Sequence, residues 1–348
     1  MKQFPKVNTP LHWLNTAATG YDFGVALGQQ GRESVHAGLL TTPLWQQIIA
    51  DKHAAKVALL AKNTQQQFPE IFAELQGLAD GLALPFEQVF AWNCRGDLLT
   101  HTADGCTTVQ IPGDKIIIAH NEDGLPVFDG KCFIVERTGE GGFSSFAYPG
   151  SIPGHTFGMT NSGLVMATNN LRLSGFDAKI PRMVLARELL NCNSVDQART
   201  HLSNNNTSGG FHFSLAQMGD PRLISLEFGA GHTIDKEITV PSLHANHALM
   251  NNDAYQSQII TQSSQDRQQR GTELVEAGQH QPLDILRDKS ADGLPIWRRE
   301  ADDPDDENTI ASAVFEISAN KINSSTLTFS SITICSDSRG FTKMGLFT

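Results

Sequence analysis

Apolar positions recur with a helical period in the first third of the chain. Between Thr42 and Gln67 they are spaced three and four residues apart, which places their side chains on one face of a helix. Pro69 ends that run and opens a second predicted helix over Glu70–Leu82. Pro85 opens a third predicted helix, which runs to about Leu99. The part of the chain before residue 105 is therefore predicted to be mainly helical.

After residue 106 the apolar period changes from that of a helix to that of a strand. The predicted strands are Thr107–Ile111, Lys115–Ala119, Cys132–Arg137, Gly163–Asn169, two over residues 211–218 and 222–228, and three after Thr309. Two helices are predicted after Pro181, and another over Asp253–Glu276. The strict alternation of strand and helix that is typical of a parallel doubly wound sheet is not present. The pattern predicts an α+β layered sandwich of mostly antiparallel sheets.

Composition and charge exclude some classes of partner. The chain has 348 residues, of which 18% are charged, and 37 acidic residues outnumber 26 basic ones to give a net charge of −11. Nucleic acids and anionic membranes both require a basic face, so neither is expected as a partner. No run approaches the roughly 18 apolar residues that span a bilayer. The first fifteen residues show no signal-peptide pattern.

The cysteines indicate reduced thiols and a cytoplasmic location. Their number is odd, and they show no short spacing that would make a disulfide framework or a zinc site of the CxxC type. They are Cys94, Cys106, Cys132, Cys192 and Cys335. The sequence predicts neither a cofactor nor a resident metal.

One cysteine follows a glycine at the start of a predicted strand, in the stretch "DGCTT". The thiol of Cys106 is placed to attack the carbonyl of Gly105 and form a thioester that water hydrolyses. Glycine suits such a bond because it lacks a Cβ and tolerates strained backbone angles. Cleavage would leave an α-amine on Cys106 with a reference pKa of about 7.7–8. One residue would then supply both a nucleophile and a general base near neutral pH. A single cysteine before a strand is more often only a small buried residue.

Three further residues are candidates for the same site. Asp123 ends the second predicted strand, where a hairpin would bring its carboxylate near the new amino terminus. Asn170 ends another strand, and Asn246 lies between two histidines in "HANH". A side-chain amide directed at a reacting carbonyl forms an oxyanion hole. Taken singly, each of these residues is more commonly a turn or capping residue.

Five motifs in a fixed order resemble one enzyme family. They are "DGCTT", "NEDG", "NSGLVMATNNL", "ISLEF" and "HANH", followed by "TIASAVFEI" at a late strand. The order is similar to that of the isopenicillin N acyltransferase (acyl-CoA:6-aminopenicillanic acid acyltransferase) family of Ntn hydrolases, with bile-salt and penicillin V hydrolases as more distant relatives. The likeness extends from about residue 90 to the C-terminal strands.

The resemblance implies a self-cleaving precursor with an αββα fold. Gly105–Cys106 would be the scissile bond, residues 1–105 a helical small chain, and residues 106–348 the catalytic chain, with both retained in the sandwich. Cys106 matches the nucleophile, and Asp123 matches the carboxylate of the N-x-D motif. Asn246 matches the oxyanion donor, and Asn170 matches an asparagine that polarises the carbonyl. The implied activity is hydrolysis or transfer of the acyl group of a small N-acyl compound, with hydrolysis ranked first.

Two features depart from the family pattern. Glu122 occupies the middle position of the N-x-D motif, where an aromatic residue is usual. The fungal acyltransferase has an arginine before the late strand, whereas the matching position here falls near Asp306, within an acidic run over residues 302–307. That run is interpreted as a solvated loop, with a cation-attracting rim as a second hypothesis. Neither acyl-coenzyme A nor a penicillin nucleus is therefore predicted as the substrate.

Alternative interpretations remain open. His120, Asp123, His244 and His247 could bind a metal ion and activate water, although residues three apart on a strand face opposite sides. Cys106 could instead pair with His101 or His247 as an uncleaved thiol–imidazole catalyst. The chain could also be a non-catalytic binding domain.

Overall fold

A computed structural model of the chain describes residues 11–100, 104–250, 257–289, 292–299, 305–328 and 331–336. The helices are α1 Gly20–Ala37, α2 Pro43–Ile48, α3 Ala54–Gln67, α4 Pro69–Leu82, α5 Phe86–Trp92, α6 Arg95–Leu98, α7 Arg182–Leu189, α8 Val195–Asn204, α9 Gln262–Glu276 and α10 Pro282–Leu286. The first seven strands are β1 His12–Thr16, β2 Asp104–Ile111, β3 Ile116–Gly124, β4 Phe133–Arg137, β5 Phe143–Ala147, β6 Phe157–Thr160 and β7 Leu164–Leu171. The others are β8 Gly210–Gln217, β9 Leu223–Gly229, β10 His232–Glu237, β11 Ser242–His244, β12 Asn308–Ile317, β13 Ile322–Thr328 and β14 Ser331–Ser336.

The strands form two sheets, which confirms the predicted α+β class. One sheet has eight strands in the order β1-β4-β5-β6-β7-β8-β9-β10, and the other has six in the order β11-β2-β3-β12-β13-β14. The pairing of β1 with β4 is parallel. The neighbouring pairs around the site, β2 with β3 and β7 with β8, are antiparallel. The sheets are therefore mostly antiparallel, as the apolar pattern predicts.

The two sheets lie face to face between helices. Hydrogen bonds join them, for example from the Thr108 hydroxyl to Asn169 Oδ1 at 2.6 Å and from Gln110 to Ser214 at 2.7 Å. Apolar side chains of α1, α3, α4, α5, α7 and α8 share one core with the eight-stranded sheet. A smaller core joins α9 and α10 to β2, β3 and β11 through residues such as Val109. The layers are thus helix, sheet, sheet and helix.

The N-terminal helices differ in detail from the sequence prediction. The helix predicted over Thr42–Gln67 is two helices, because the backbone is extended at Ala50 and a short 3-10 turn over Asp51–His53 separates α2 from α3. The helix predicted over Glu70–Leu82 is confirmed as α4. The predicted third helix is also divided, into α5 and α6. No helix among the described residues is long and apolar enough to cross a membrane.

Helices α1 and α4 approach each other through glycines. A Cβ built on Gly24 would lie 1.9 Å from the carbonyl oxygen of Glu74, and one built on Gly77 would lie 1.9 Å from that of Tyr21. Gly28 and Gly81 face each other in the same way. The two backbones are therefore in direct contact, and side chains at these positions would separate them.

We expect Gly77→Ala to destabilise the protein by about 1–3 kcal/mol, because the new methyl group meets backbone atoms that cannot move alone. This steric clash acts against the stabilisation of about 1 kcal/mol that alanine gives a helix relative to glycine. Chemical denaturation measures it. Gln29→Ala, at an exposed position of α1, is the matched control and should change the unfolding midpoint little. Equal midpoints for Gly77→Ala and the wild type would contradict the packing argument.

Candidate active site

The hairpin of β2 and β3 positions the candidate nucleophile. Cys106 pairs with Glu122, and Gly105 pairs with Asp123. Because side chains alternate along a strand, Cys106 and Glu122 project from one face of the hairpin and Asp123 from the other. The alternation directs Cys106 and Thr108 to the space between the two sheets, where Thr108 contacts Asn169 of β7.

Cys106 is buried and held at its backbone as well as its sulfur. Its N–H donates to Asn246 Oδ1 at 2.8 Å, and its carbonyl oxygen accepts from Arg267 Nη1 at 2.5 Å. Its Sγ lies 3.8 Å from Glu122 Oε2. Burial raises the pKa of the thiol well above its usual range, and the carboxylates of Glu122 and Asp123 raise it further. A base is therefore needed to make a thiolate here.

Asn246 and Asn170 meet beside Cys106, but they contribute different groups. Asn246 Nδ2 donates to the carbonyl oxygen of Asn170 at 3.1 Å. The backbone N–H of Asn170 hydrogen-bonds the Cys106 sulfur and lowers the thiol pKa. The side-chain Oδ1 of Asn170 accepts from Arg182 Nη1 at 2.6 Å. At position 170 it is thus the main chain, and not the side-chain amide, that meets the sulfur.

Asp123 lies on β3 beside the Gly105–Cys106 bond, where it is the residue paired with Gly105 of β2. Its Oδ1 accepts a hydrogen bond from Thr309 Oγ1 at 2.6 Å. A Cβ built on Gly105 would lie 3.2 Å from the Cβ of Asp123 and 2.1 Å from Glu307 Oε2. Only glycine fits at position 105 without displacing these carboxylates.

Glu307, the last residue of the acidic run over residues 302–307, is an exception to the solvated-loop interpretation, whereas Asp306 is exposed. Glu307 is fully buried and pairs with Arg172 at 3.0 Å and with Arg298 at 2.5 Å. Burial raises its pKa to about 7, while the two guanidinium groups oppose that shift. This carboxylate is part of the site's wall and not of a solvated loop. Residues 302–304 of the run lie outside the described part of the chain.

Arg267 is a further residue that sequence reasoning missed. It lies on α9, is fully buried, and donates to Thr107 Oγ1 at 2.9 Å and to Asn246 Oδ1 at 2.7 Å, besides the Cys106 carbonyl. It therefore places a positive charge against the backbone of Cys106. Its only sequence signal is an arginine within a polar helix, which is the ordinary composition of an exposed helix.

Comparisons with known proteins identify the family of the chain. The family model for acyl-coenzyme A:6-aminopenicillanic acid acyl-transferase matches residues 110–327, more than half of the chain. The chain belongs to this acyltransferase family. The matched span begins four residues after Cys106, so it covers Asp123, Asn170 and Asn246 but not the cysteine. Family membership makes the chain an enzyme of amide-bond hydrolysis or acyl transfer.

Individual relatives are more distant. The beta-alanyl-dopamine/carcinine hydrolase of Drosophila melanogaster is 23% identical over 352 aligned residues, which cover 89% of this chain and 91% of the fly protein. The solved structure of penicillin V acylase from Agrobacterium tumefaciens is 15% identical, with a TM-score of 0.40, and covers 66% of this chain and 86% of that one.

In this member of the acyltransferase family, Glu122 forms a second buried group beside the sulfur. Its Oε2 lies 3.0 Å from His120 Nε2, and its Oε1 accepts from the Tyr148 hydroxyl at 2.8 Å. Burial lowers the pKa of His120 to about 3. The sequence pattern marked Glu122 only as a departure from the family motif. The sequence gave no indication of a role for Tyr148, because this residue follows β5 and meets Glu122 of β3 only in the folded chain.

The histidines of the metal hypothesis are not brought together. His244 Nε2 lies 2.9 Å from Glu227 Oε1, and the ring of His244 stacks on His212 with centroids 3.5 Å apart. His247 Nδ1 lies 2.8 Å from Ser264 Oγ. Among the described residues, the group compact enough to hold a metal unites His120 with Cys106 and Glu122 instead. His101, the other proposed imidazole partner, lies outside the described residues.

Proposed function

We propose that this acyltransferase-family enzyme is made as an inactive precursor, cleaves itself at Gly105–Cys106, and then hydrolyses small N-acyl amides through a Cys106 acyl-enzyme. The observation that carries the proposal is the convergence on one residue of a buried thiol and a backbone nitrogen bonded to Asn246. The carboxylate, amide and guanidinium groups named above surround that residue. The arrangement fits a nucleophile whose own amine becomes its base.

The proposed cleavage begins with attack of the Cys106 sulfur on the Gly105 carbonyl carbon. The S–C bond forms, the C–N bond breaks, and the thiol proton passes to the nitrogen, which becomes a primary amine. Water then hydrolyses the thioester and releases the carboxyl group of Gly105 and the thiol. Because Gly105 lacks a Cβ, Glu307 Oε2 can lie against its Cα without a collision.

The two products are expected to stay associated. Strand β1, from residues 12–16, is hydrogen-bonded to β4 in the parallel pairing. Helices α1, α3, α4 and α5 share their apolar core with the eight-stranded sheet. Cutting one bond at the start of β2 would remove none of these contacts. The proposed unit is therefore a small chain of residues 1–105 bound to a catalytic chain of residues 106–348.

In the proposed catalytic cycle the amine of Cys106 removes the thiol proton. This step is needed because burial raises the thiol pKa, whereas an α-amine has a reference pKa of about 7.7–8. Asn246 Oδ1 holds the nitrogen, with Arg267 bonded to the same oxygen. The backbone N–H of Asn170 and the Nδ2 of Asn246 stabilise the oxyanion. The ammonium then protonates the leaving amine, and water releases the acyl group.

The substrate is proposed to be a small amide that carries an amino group. Two observations support this choice, namely the buried carboxylate of Glu122 3.8 Å from the sulfur and the fly relative whose name describes hydrolysis of beta-alanyl-dopamine and carcinine. The first of these names describes an amide of β-alanine. Acyl-coenzyme A is not required for hydrolysis.

We expect β-alanyl amides to be cleaved with a kcat/KM at least about tenfold above that of propionyl amides of the same amine, since one charge-assisted hydrogen bond is worth roughly 1.5–3 kcal/mol. Release of the amine, followed chromatographically, measures the rates. Propionyl amides have the same chain length without the amino group, so they are the matched control. Equal rates for both series would remove the cationic-substrate hypothesis and leave the acyl-enzyme mechanism untouched.

A further inference from the structure

Three side chains of the β2–β3 hairpin, one on β2 and two on β3, direct metal-binding atoms at one point. Cys106 Sγ lies 3.8 Å from Glu122 Oε2, and Glu122 Oε2 lies 3.0 Å from His120 Nε2. The three ligand atoms all lie within 4.8 Å of one another, and all three residues are buried. Two ligands bound to one tetrahedral zinc ion are roughly 3.3–3.6 Å apart, because zinc binds nitrogen and oxygen at about 2.0–2.2 Å and sulfur at about 2.3 Å. Small side-chain movements would bring the observed distances to these values.

Hydrogen bonds fix the histidine in the tautomer that a metal requires. Asn169 Nδ2 donates to the carbonyl oxygen of His244 at 3.1 Å, so Asn169 Oδ1 is the atom that accepts from the Thr108 hydroxyl. The proton of Thr108 is thereby used, and its oxygen must accept from His120 Nδ1 at 2.8 Å. The lone pair of His120 is then on Nε2, which faces Glu122 and Cys106; without a metal ion, one proton must lie between Nε2 and Glu122 Oε2, 3.0 Å apart, and a metal ion would displace it. A partner on the second ring nitrogen is the usual support of a metal-binding histidine.

Glu122 is held in a comparable way. The Tyr148 hydroxyl donates to Oε1 at 2.8 Å and orients the carboxylate, so that Oε2 is the oxygen directed at the sulfur and the imidazole. Tyr148 is itself fixed by an edge-to-face contact with Phe128, with ring centroids 4.9 Å apart. Each of the two non-thiol ligands therefore has a buried partner that keeps its metal-binding atom in place.

We propose that Cys106, His120 and Glu122 form a zinc-binding site in which the ion occupies the nucleophile and reversibly inhibits the enzyme. Sulfur, imidazole and carboxylate together suit zinc better than calcium or magnesium, which prefer oxygen ligands only. Binding replaces two protons by the metal and releases them to solvent, namely the thiol proton, since the thiolate is the metal ligand, and the proton between His120 Nε2 and Glu122 Oε2. Three protein ligands leave a fourth position for water. The site uses side chains alone and does not depend on the proposed self-cleavage.

Competition with a chromophoric chelator, on purified protein without substrate, tests the proposal. We expect the wild-type chain to bind one zinc ion. Its affinity for zinc should be at least about 100-fold higher than that of Cys106→Ala, His120→Gln or Glu122→Gln, since the loss of even a hydrogen-bond partner of a metal ligand lowers metal affinity by about 10–100-fold. Glu122→Gln keeps the oxygen that accepts from Tyr148, so its fold should be conserved. Cys192→Ala, at a buried cysteine that contacts Glu188, is the control and should bind zinc like the wild type.

The activity assay gives the second readout. We expect micromolar zinc to inhibit amide hydrolysis by wild-type enzyme and a chelator to restore it. Zinc affinity that falls in Cys106→Ala but not in the His120 and Glu122 variants would overturn the three-ligand site. Activity that is lost on chelation and returns with zinc would overturn the inhibitory role. Zinc binding by an uncleaved or inactive protein would still support the site, so the proposed function and this inference fail separately.

Discussion

Cys106→Ala is expected to yield one intact chain where the wild-type protein yields two. Without the sulfur, the acyl group of Gly105 cannot move from the nitrogen of residue 106 to a thiol. The bond between residues 105 and 106 therefore persists, and no α-amine is formed. Denaturing mass spectrometry of freshly purified protein should show fragments of residues 1–105 and 106–348 for the wild type, and a single species of 348 residues for the variant. Amidase activity should fall to background, because the nucleophile and the base are lost together.

Two further variants separate cleavage from catalysis. Cys192→Ala removes a different buried thiol and should be cleaved and active like the wild type. A gene that begins with Met followed by Cys106, co-expressed with residues 1–105, should regain activity once Met is removed, because cleavage is then unnecessary. Full activity in a wild-type protein that shows only the uncut mass would overturn self-cleavage. It would favour a thiol catalyst with a separate base.

Several strands, among them β2, β3, β4, β7, β8 and β9, were predicted because each has a local strand pattern, whereas β1, β5, β6, β10 and β11 were missed. Alternating residues in the stretch that became β2 and β3, with Pro112 and Gly113 between them, specify a hairpin before any tertiary contact is known. Helix α1 was missed for the opposite reason. It contains Gly24, Gly28 and Gly31, which lower helix propensity, and it is stabilised by close contact with α4. That contact is a tertiary one, and a periodic pattern does not report it.

The active site was predictable only in part for the same reason. Cys106, Asn170 and Asn246 lie in short motifs, and the structure does bring them together. Arg267 and Glu307 belong to polar segments whose composition is that of solvated surface. Both are buried against partners far along the chain: Glu307 pairs with Arg172, and Arg267 donates to oxygens of Cys106 and Asn246. Sequence reasoning on one chain cannot see such pairs.

Replacement of Asn246 should produce the second large effect. Asn246→Asp is the sharpest change, since it keeps an oxygen to accept from the Cys106 N–H and from Arg267 but has no N–H to donate. Loss of one oxyanion donor lowers kcat by about 10²–10³-fold in other hydrolases, and we expect a similar loss here with little change in KM. Steady-state kinetics on the best amide substrate measures both. The extra negative charge lies against Arg267, which limits its effect on folding.

Asn170→Asp is the matched comparison, because it places the same substitution on the other asparagine of the site. Its side chain accepts from Arg182, a contact that aspartate retains, and the backbone N–H beside the sulfur is unchanged. We therefore expect a far smaller loss of kcat than in Asn246→Asp. Equal losses in the two variants would mean that the side chain of Asn170, and not its backbone, meets the substrate. A fully active Asn246→Asp would remove Asn246 from the oxyanion hole, and the Asn170 backbone N–H would then be the remaining donor of this pair.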